Sequence, residues 1–292
     1  MALAVSGKRA VLAAAAALVV VPCVAATVGA EGAPASLRIC ADPNNLPFSN
    51  AQEQGFENRL AHLVADDLHR PLAYFWWPQR RGFITHTLKA NQCDVVMGVP
   101  SGTAGIATTQ PYYRSTYVFI SRADRHLGMA AITDPRLHRL AIGVQLLGRE
   151  GFNTPPAHAL GEQGMVANVV GFPVYGDYDQ PNPPARIIDA VAGGTVDIAA
   201  VWGPLGGYFA AHAPVPLIVT PITDTERFAP LQFTFAIAMG VRKGDDVLRQ
   251  QLDDVSARRR VEIDALLRAY HVPLLALPPP QLQSAQADAR GK

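Results

Sequence analysis

Five short segments gather most of the side chains able to recognise a partner or react with one. They are Asp42-Pro43-Asn44-Asn45-Leu46-Pro47-Phe48, Trp77-Pro78-Gln79-Arg80-Arg81-Gly82, Val99-Pro100-Ser101-Gly102-Thr103, Thr109-Gln110-Pro111-Tyr112-Tyr113-Arg114 and Trp202-Gly203-Pro204. Proline stiffens each of them, while the amides, guanidinium groups and aromatic rings supply hydrogen bonding and stacking. Rigid loops of this kind suit the recognition of a partner surface or a planar ligand. The predicted binding set is therefore Asp42, Asn44, Asn45, Phe48, Trp77, Gln79, Arg80, Arg81, Tyr112, Tyr113, Arg114 and Trp202. The competing reading places Trp76, Trp77, Tyr112 and Tyr113 in core or hinge packing, because alternate residues of a strand must point inward.

Catalytic patterns are missing from the text. The eight histidines are scattered and form no His-x-x-x-His pair, and the cysteines show no metal-site spacing. There is no Gly-x-Ser-x-Gly elbow, and the stretch from Gly98 to Gly102 has Pro100 at its centre. Asp66-Asp67 and Asp253-Asp254 fall inside helical patterns, where a solvated charged face is the ordinary explanation. Gly176-Asp177-Tyr178-Asp179 lacks the further acids and the terminal Glu of a calcium loop and reads as a turn. The expectation is no catalytic residue, no metal and no cofactor.

The segments follow predicted strands. Leu37 to Ala41 reads as a strand and Glu57 to Leu68 as a helix, with Leu60, Val64 and Leu68 on one face and Glu57 in the first turn, where the helix dipole favours an anion. Leu72 to Trp76 is a second strand, Phe83 to Ala90 a second helix, and Asp94 to Gly98 a third strand buried on both faces. This β-α-β-α-β order is the half-unit of a doubly wound sheet, whose ligand crevice lies off the carboxyl ends of its strands. Ser115 to Ser121 and Leu140 to Val144 are further strands. The helix Ala185 to Ala192, Gly193-Gly194 and the strand Val196 to Trp202 repeat the arrangement of the first half. Leu231 to Val241 reads as a strand and Val247 to Tyr270 as one long helix.

Lys8 and Arg9, the apolar run from Ala10 to Val21 and the small residues after it have the layout of a secretory signal peptide, cleaved after Ala26 or after Ala30. About a dozen apolar residues fall short of the roughly 20 that a membrane-spanning helix needs. Pro22 before Cys23 argues against a lipid anchor. Removal of the leader leaves a chain long enough for two domains: residues 31–122 with 228–274 as a first lobe, 123–227 as a second, and 275–292 as an extended tail with a Pro278-Pro279-Pro280 run. With 25 Lys and Arg against 24 Asp and Glu, no charge excess points to nucleic acid or an anionic membrane. The mature chain keeps Cys40 and Cys93, an isolated pair expected to be bridged in an oxidising compartment; buried free thiols are the alternative.

Several long strings resemble the MxaJ/XoxJ family: Cys40 to Ser49, Trp76 to Phe83, Cys93 to Pro100, Pro111 to Phe119, Asn153 to Leu160, Tyr175 to Tyr178, Asn182 to Arg186 and Val201 to Pro204. The resemblance runs from about Leu37 to Pro273. It implies an α/β, two-lobed periplasmic-binding-protein fold of type II, with two doubly wound sheets and a central cleft. It further implies a periplasmic accessory protein that helps assemble or activate a PQQ-dependent methanol dehydrogenase, whose large subunit is the expected partner. Two alternatives stand beside that reading: a solute-binding protein that delivers a planar or neutral ligand such as PQQ, and an enzyme on the same scaffold. Arg149-Glu150 and His271 depart from the family's usual residues.

Amino-acid-binding proteins resemble this chain but carry an Arg after the third strand, which grips the ligand carboxylate in a bidentate fork, and an Asp at the end of a second-lobe strand, which holds the ammonium. Here the stretch from Val99 to Gln110 contains no Arg, and Trp202 stands at the second position. A zwitterion entering such a cleft loses water and gains no counter-charge.

Overall fold

The computed structural model describes residues 1–4, 35–146, 153–173 and 178–277. The leader, Arg149-Glu150 and the Pro278-Pro279-Pro280 run lie outside the described residues. The chain divides into two units, Met1–Ala33 and Pro34–Lys292; of the first, only residues 1–4 are described, and they carry no regular structure.

In the second unit the strands are β1 (Leu37–Ala41), β2 (Asn44–Asn45), β3 (Ser49–Asn50), β4 (Leu72–Trp76), β5 (Val95–Pro100), β6 (Ala107–Thr108), β7 (Tyr113–Arg122), β8 (Ile142–Leu146), β9 (Val169–Pro173), β10 (Ile198–Trp202), β11 (Leu217–Pro221) and β12 (Thr234–Val241). The helices are α1 (Phe56–Asp67), α2 (Phe83–His86), α3 (Pro155–Glu162), α4 (Arg186–Ala192), α5 (Gly203–Ala211), α6 (Asp246–Arg258) and α7 (Arg260–Ala269).

These elements build a type II periplasmic-binding-protein fold of two lobes. In the first, β1 lies between β4 and β5 in parallel pairing, and β12 closes the sheet antiparallel to β5. In the second, β8 lies between β9 and β10 in parallel pairing, and β7 runs antiparallel to β10. The strand β7 belongs to both sheets. Its residues Tyr113 to Thr116 pair with β12, and Tyr117 to Ser121 pair with β10.

The hydrophobic pattern explains why each sheet is covered on both faces. In the first lobe, Leu37, Ile39, Val95 and Met97 pack with Phe56, Leu60 and Val64 of α1 and with Leu252, Val255, Ile263 and Leu267 of α6 and α7. The opposite face buries Cys40, Val96 and Val99 against Phe83 and Leu88. In the second lobe, Ile142, Val144, Ile198 and Ala200 face one cluster, while Ala199 and Val201 face Ile187, Ile188 and Val191 of α4. Odd and even residues of β10 thus divide between two cores, as the pleat requires.

The structure corrects three expectations. The helix read from Phe83 to Ala90 ends at His86 and continues as turns. The long carboxyl-terminal helix is two helices, broken at Arg259; the apolar periodicity hides the break because Val255 and Ile263 remain about two turns apart and both stay buried. Asp67 is not a solvated charge: its carboxylate is paired with Arg258 and, at 2.8 Å, with Arg259, and it fastens α1 to the junction of α6 and α7.

Cys40 and Cys93 form a disulfide, with Cα atoms 5.4 Å apart and both residues buried. Beside it, Asp94 is clasped by the guanidinium groups of Arg38 and Arg242. Burial alone would raise the Asp94 carboxyl, but the bonds from Arg38 and Arg242 outweigh it and hold the group below the usual carboxylate range.

Candidate functional site: an aromatic cleft with two unlike carboxylates

The cleft opens where β1, β5, β8 and β10 end, as the doubly wound half-units predict, and has a volume of about 360 Å³. Two segments of the first lobe fix its chemistry.

The first is the loop after β1. Asp42 is 2% exposed. Its Oδ1 accepts the Asn44 N–H at 2.8 Å, and its Oδ2 accepts the Gln79 N–H at 2.6 Å and the Tyr178 hydroxyl at 2.5 Å. The Asn45 side-chain amide donates to Gln79 Oε1 at 3.0 Å, and the Asn44 amide donates to the Gln180 carbonyl at 2.8 Å. The loop is therefore a closed network, and through Tyr178 and Gln180 it holds the second-lobe segment on the other side of the cleft. Burial, followed by the bond to Asp42, pushes the Tyr178 hydroxyl well above its ordinary pKa.

The second segment is the first turn of α1. A Cβ on Gly55 would lie 1.9 Å from the Phe48 carbonyl oxygen, so only glycine allows the loop to approach the helix this closely. The N–H groups of Phe56 and Glu57 donate to the carbonyls of Pro47 and Phe48 at 2.8 and 2.9 Å. Asn58 Oδ1 accepts the N–H groups of Asn50 and Gly55, both at 3.1 Å. The N–H groups of Gly55, Phe56 and Glu57 at the helix terminus are thereby satisfied, and Glu57 is presented to the cleft.

The Glu57 carboxylate rests on β5 at Gly98, where a Cβ would stand 2.1 Å from Oε1. It lines the cleft and, among the described residues, takes part in no hydrogen bond or ion pair. Loss of water through burial, with the Asp42 charge as a smaller contribution, pushes its carboxyl up to about 8. Desolvation outweighs the favourable field of the helix terminus, which is worth at most about 2 kcal/mol.

Aromatic rings supply the walls. Phe48 meets Phe56 edge-on at 5.4 Å, Trp202 meets Tyr117 at 5.4 Å and Phe235 at 5.7 Å, and Tyr113 lies beside Phe56. On the second-lobe side, Gln145 Oε1 accepts the Trp202 N–H at 2.9 Å, and the Gln145 carbonyl accepts the Thr154 hydroxyl at 2.7 Å. Among the described residues the lining contains two carboxylates and no Lys, Arg or His.

Of the residues singled out in the sequence, Asp42, Asn44, Asn45, Phe48, Gln79, Tyr113 and Trp202 come together in the cleft lining. Trp77, Arg80, Arg81, Tyr112 and Arg114 do not. Trp77 stacks between Phe75 and His86 on the far face of the first sheet. Arg80 and Arg81 are exposed beyond the cleft lining. Tyr112 is 1% exposed and donates its hydroxyl to the Met97 carbonyl at 2.9 Å, a core role. Arg114 points its guanidinium at the Ala276 carbonyl, 3.4 Å away.

Sequence reasoning missed Glu57, Tyr117, Gln145, Tyr178 and Phe235 as cleft-lining residues. One signal was available: Gly98 interrupts an apolar strand, and a glycine there marks the close approach of another group. Among the described residues, no group of three His, Cys, Asp or Glu is placed to hold a metal ion, and no helix is long and apolar enough to cross a membrane.

The fold and its terminal cleft define the periplasmic-binding-protein class. No protein-family model matches the chain. It is 30% identical to Protein MoxJ of Methylorubrum extorquens AM1 over 251 residues, 82% of each chain. The crystal structure of periplasmic binding protein XoxJ from Methylobacterium extorquens AM1 superposes with a TM-score of 0.68 at 34% identity, covering 82% of this chain and 99% of that one. MxaJ of Methylophaga aminisulfidivorans MPT gives 0.70 at 28% identity, over 82% and 100%. The chain belongs to the MoxJ family, with XoxJ and MxaJ.

Proposed function

We propose that this protein is a periplasmic accessory factor for a PQQ-dependent methanol dehydrogenase, acting in its assembly, activation or cofactor loading, and that it is not itself an enzyme. Membership of the MoxJ family over most of the chain is the observation that carries this reading. The cleft supports it by what replaces the amino-acid clamp. Trp202 occupies the end of β10, and β5 ends on Pro100, which lines the cleft. The rim residues Arg80 and Arg81, exposed beside the loop that carries Gln79, together with Trp202 and Phe48 at the cleft, are the surface offered to the dehydrogenase's large subunit.

The cleft chemistry weighs against delivery of PQQ itself. That cofactor is a tricarboxylate, and the described lining offers it the acids Asp42 and Glu57 and no cation, so its carboxylates would lose water without gaining a counter-charge. A deletion strain tests the accessory reading. Methanol dehydrogenase activity and PQQ content per enzyme should fall and return on complementation, while the purified protein turns over no alcohol. A normal holoenzyme in the deletion strain would overturn it.

A further inference from the structure

The cleft contains one carboxylate that no described residue bonds. Asp42 is spent on three hydrogen bonds that hold the loop and the Tyr178 segment. Glu57 makes none with a described residue, yet the fold goes to some length to put it there: glycine at 55 brings the helix terminus onto the loop, and glycine at 98 leaves room for the carboxylate on β5. Glu57 is partly exposed at the cleft wall, and a carboxylate drawn out of bulk water without a counter-charge is raised in energy. An acid in the wall of a cavity that is also lined by aromatic rings is complementary to a ligand that brings positive charge, because the carboxylate supplies a counter-ion and the rings a cation–π surface. We propose that the cleft binds an organic cation lacking a carboxylate, an alkylammonium or alkylguanidinium group, with Glu57 as its counter-ion and the rings of Phe48, Tyr113, Trp202 and Phe235 as its walls.

A zwitterionic amino acid is excluded by the same features, since its carboxylate would find two acids and no described cation. The cation can arrive as a free amine or as a Lys or Arg side chain on a peptide. The inference rests on cleft geometry alone and stands or falls independently of the accessory role.

The charged group that acts on Glu57 is Asp42 from the β1 loop; Tyr112 and Tyr113, before and at the start of β7, lie near enough to feel the Glu57 charge, and β5 contributes Gly98 at the contact. None of these groups is a cation, so the empty cleft favours the protonated acid. Cation binding must expel that proton, and affinity for the cation should fall about tenfold per pH unit as pH drops below about 8.

The test uses the mature protein with n-butylammonium and butylguanidinium as free cations, acetyl-Gly-Lys-Gly-amide as the side-chain form, and 1-pentanol, butyrate and norleucine as neutral, anionic and zwitterionic controls. Thermal shift should show a saturable rise in Tm with at least one cationic probe and none with the controls. Calorimetry in two buffers of different ionisation enthalpy should report about one proton released per cation bound at pH 7. A rise only with the free amines identifies a small-molecule site, and a rise only with the peptide identifies a side-chain site. Glu57→Gln should weaken binding at least tenfold and abolish its pH dependence, and Gly98→Ala, which displaces the carboxylate, should weaken it without removing the acid. Equal binding by Glu57→Gln, equal response to 1-pentanol, or no saturable response to any cation would overturn the proposal; circular dichroism of both variants separates these outcomes from misfolding.

Discussion

The β1 loop and the first turn of α1 each bring a carboxylate to one cleft, and they treat it in opposite ways. Asp42 is enclosed by donors: two backbone N–H groups and a tyrosine hydroxyl within 2.8 Å. Glu57 is half-buried against Gly98 of β5, receives no hydrogen bond from a described residue, and has its carboxyl pushed up to about 8. Burial by itself therefore says little about the role of an acid. A carboxylate whose lone pairs are filled by the fold is part of the scaffold, while one left empty in a cavity is held ready for something from outside.

The contrast can be broken in several ways. The largest effect should come from outside the cleft. Reducing the Cys40–Cys93 disulfide, which closes a loop of 53 residues, should cost about 4 kcal/mol in denaturant unfolding. Cation binding should survive at temperatures where the reduced protein stays folded; its loss there would show that the bridge positions the cleft. Next comes Glu57→Gln. The native carboxyl at about 8 lies above its ordinary value of 4.5, so the folded state holds a proton that the unfolded chain releases in that window. Stability of the wild type should fall as pH rises from about 4.5 to about 8. The variant should gain progressively over the same range, levelling above it at a difference on the order of 3 kcal/mol. A flat difference across that range would mean that the acid is hydrated.

Asp42→Asn should behave in the opposite sense. An amide can accept on one side only, so at least one of the three donors faces another donor, at a cost of about 2 kcal/mol. Urea unfolding at pH 7 checks it, and a neutral result would return Asp42 to the class of free acids. Tyr178→Phe should be the mildest, about 1 kcal/mol, and it removes a bond between the two sides of the cleft. Small-angle scattering should show a more open average shape; an unchanged profile would assign closure to Asn44 and Gln180 instead.

Much of the fold was legible because periodicity reports burial directly. The strands Leu37–Ala41 and Leu72–Trp76 and the helix Phe56–Asp67 lie within a residue of their sequence assignments. The elements that went unread are those whose pattern is weak. α3 begins with two prolines, β9 and β11 are largely exposed, and α5 is apolar with many glycines. The site was legible in part for the same reason. Loops rich in proline and amides announced Asp42, Asn44, Asn45, Phe48 and Gln79, but the same composition put forward Trp77 and Tyr112, whose facing depends on which side of a strand end each one leaves.

By itself the sequence determined the β-α-β-α-β order of the first lobe and the strands that its pattern repeats in the second, the place of the crevice at the carboxyl ends of the sheets, the absence of an arginine clamp and the family. Those properties live in local pattern and residue type. Only the tertiary structure decided that Glu57 faces the cleft while Tyr112 faces the core, because that choice depends on where Gly55 lets the helix terminus dock and on the space left at Gly98. Glu57 and Gly98 are 41 residues apart in the chain, and no local rule couples them.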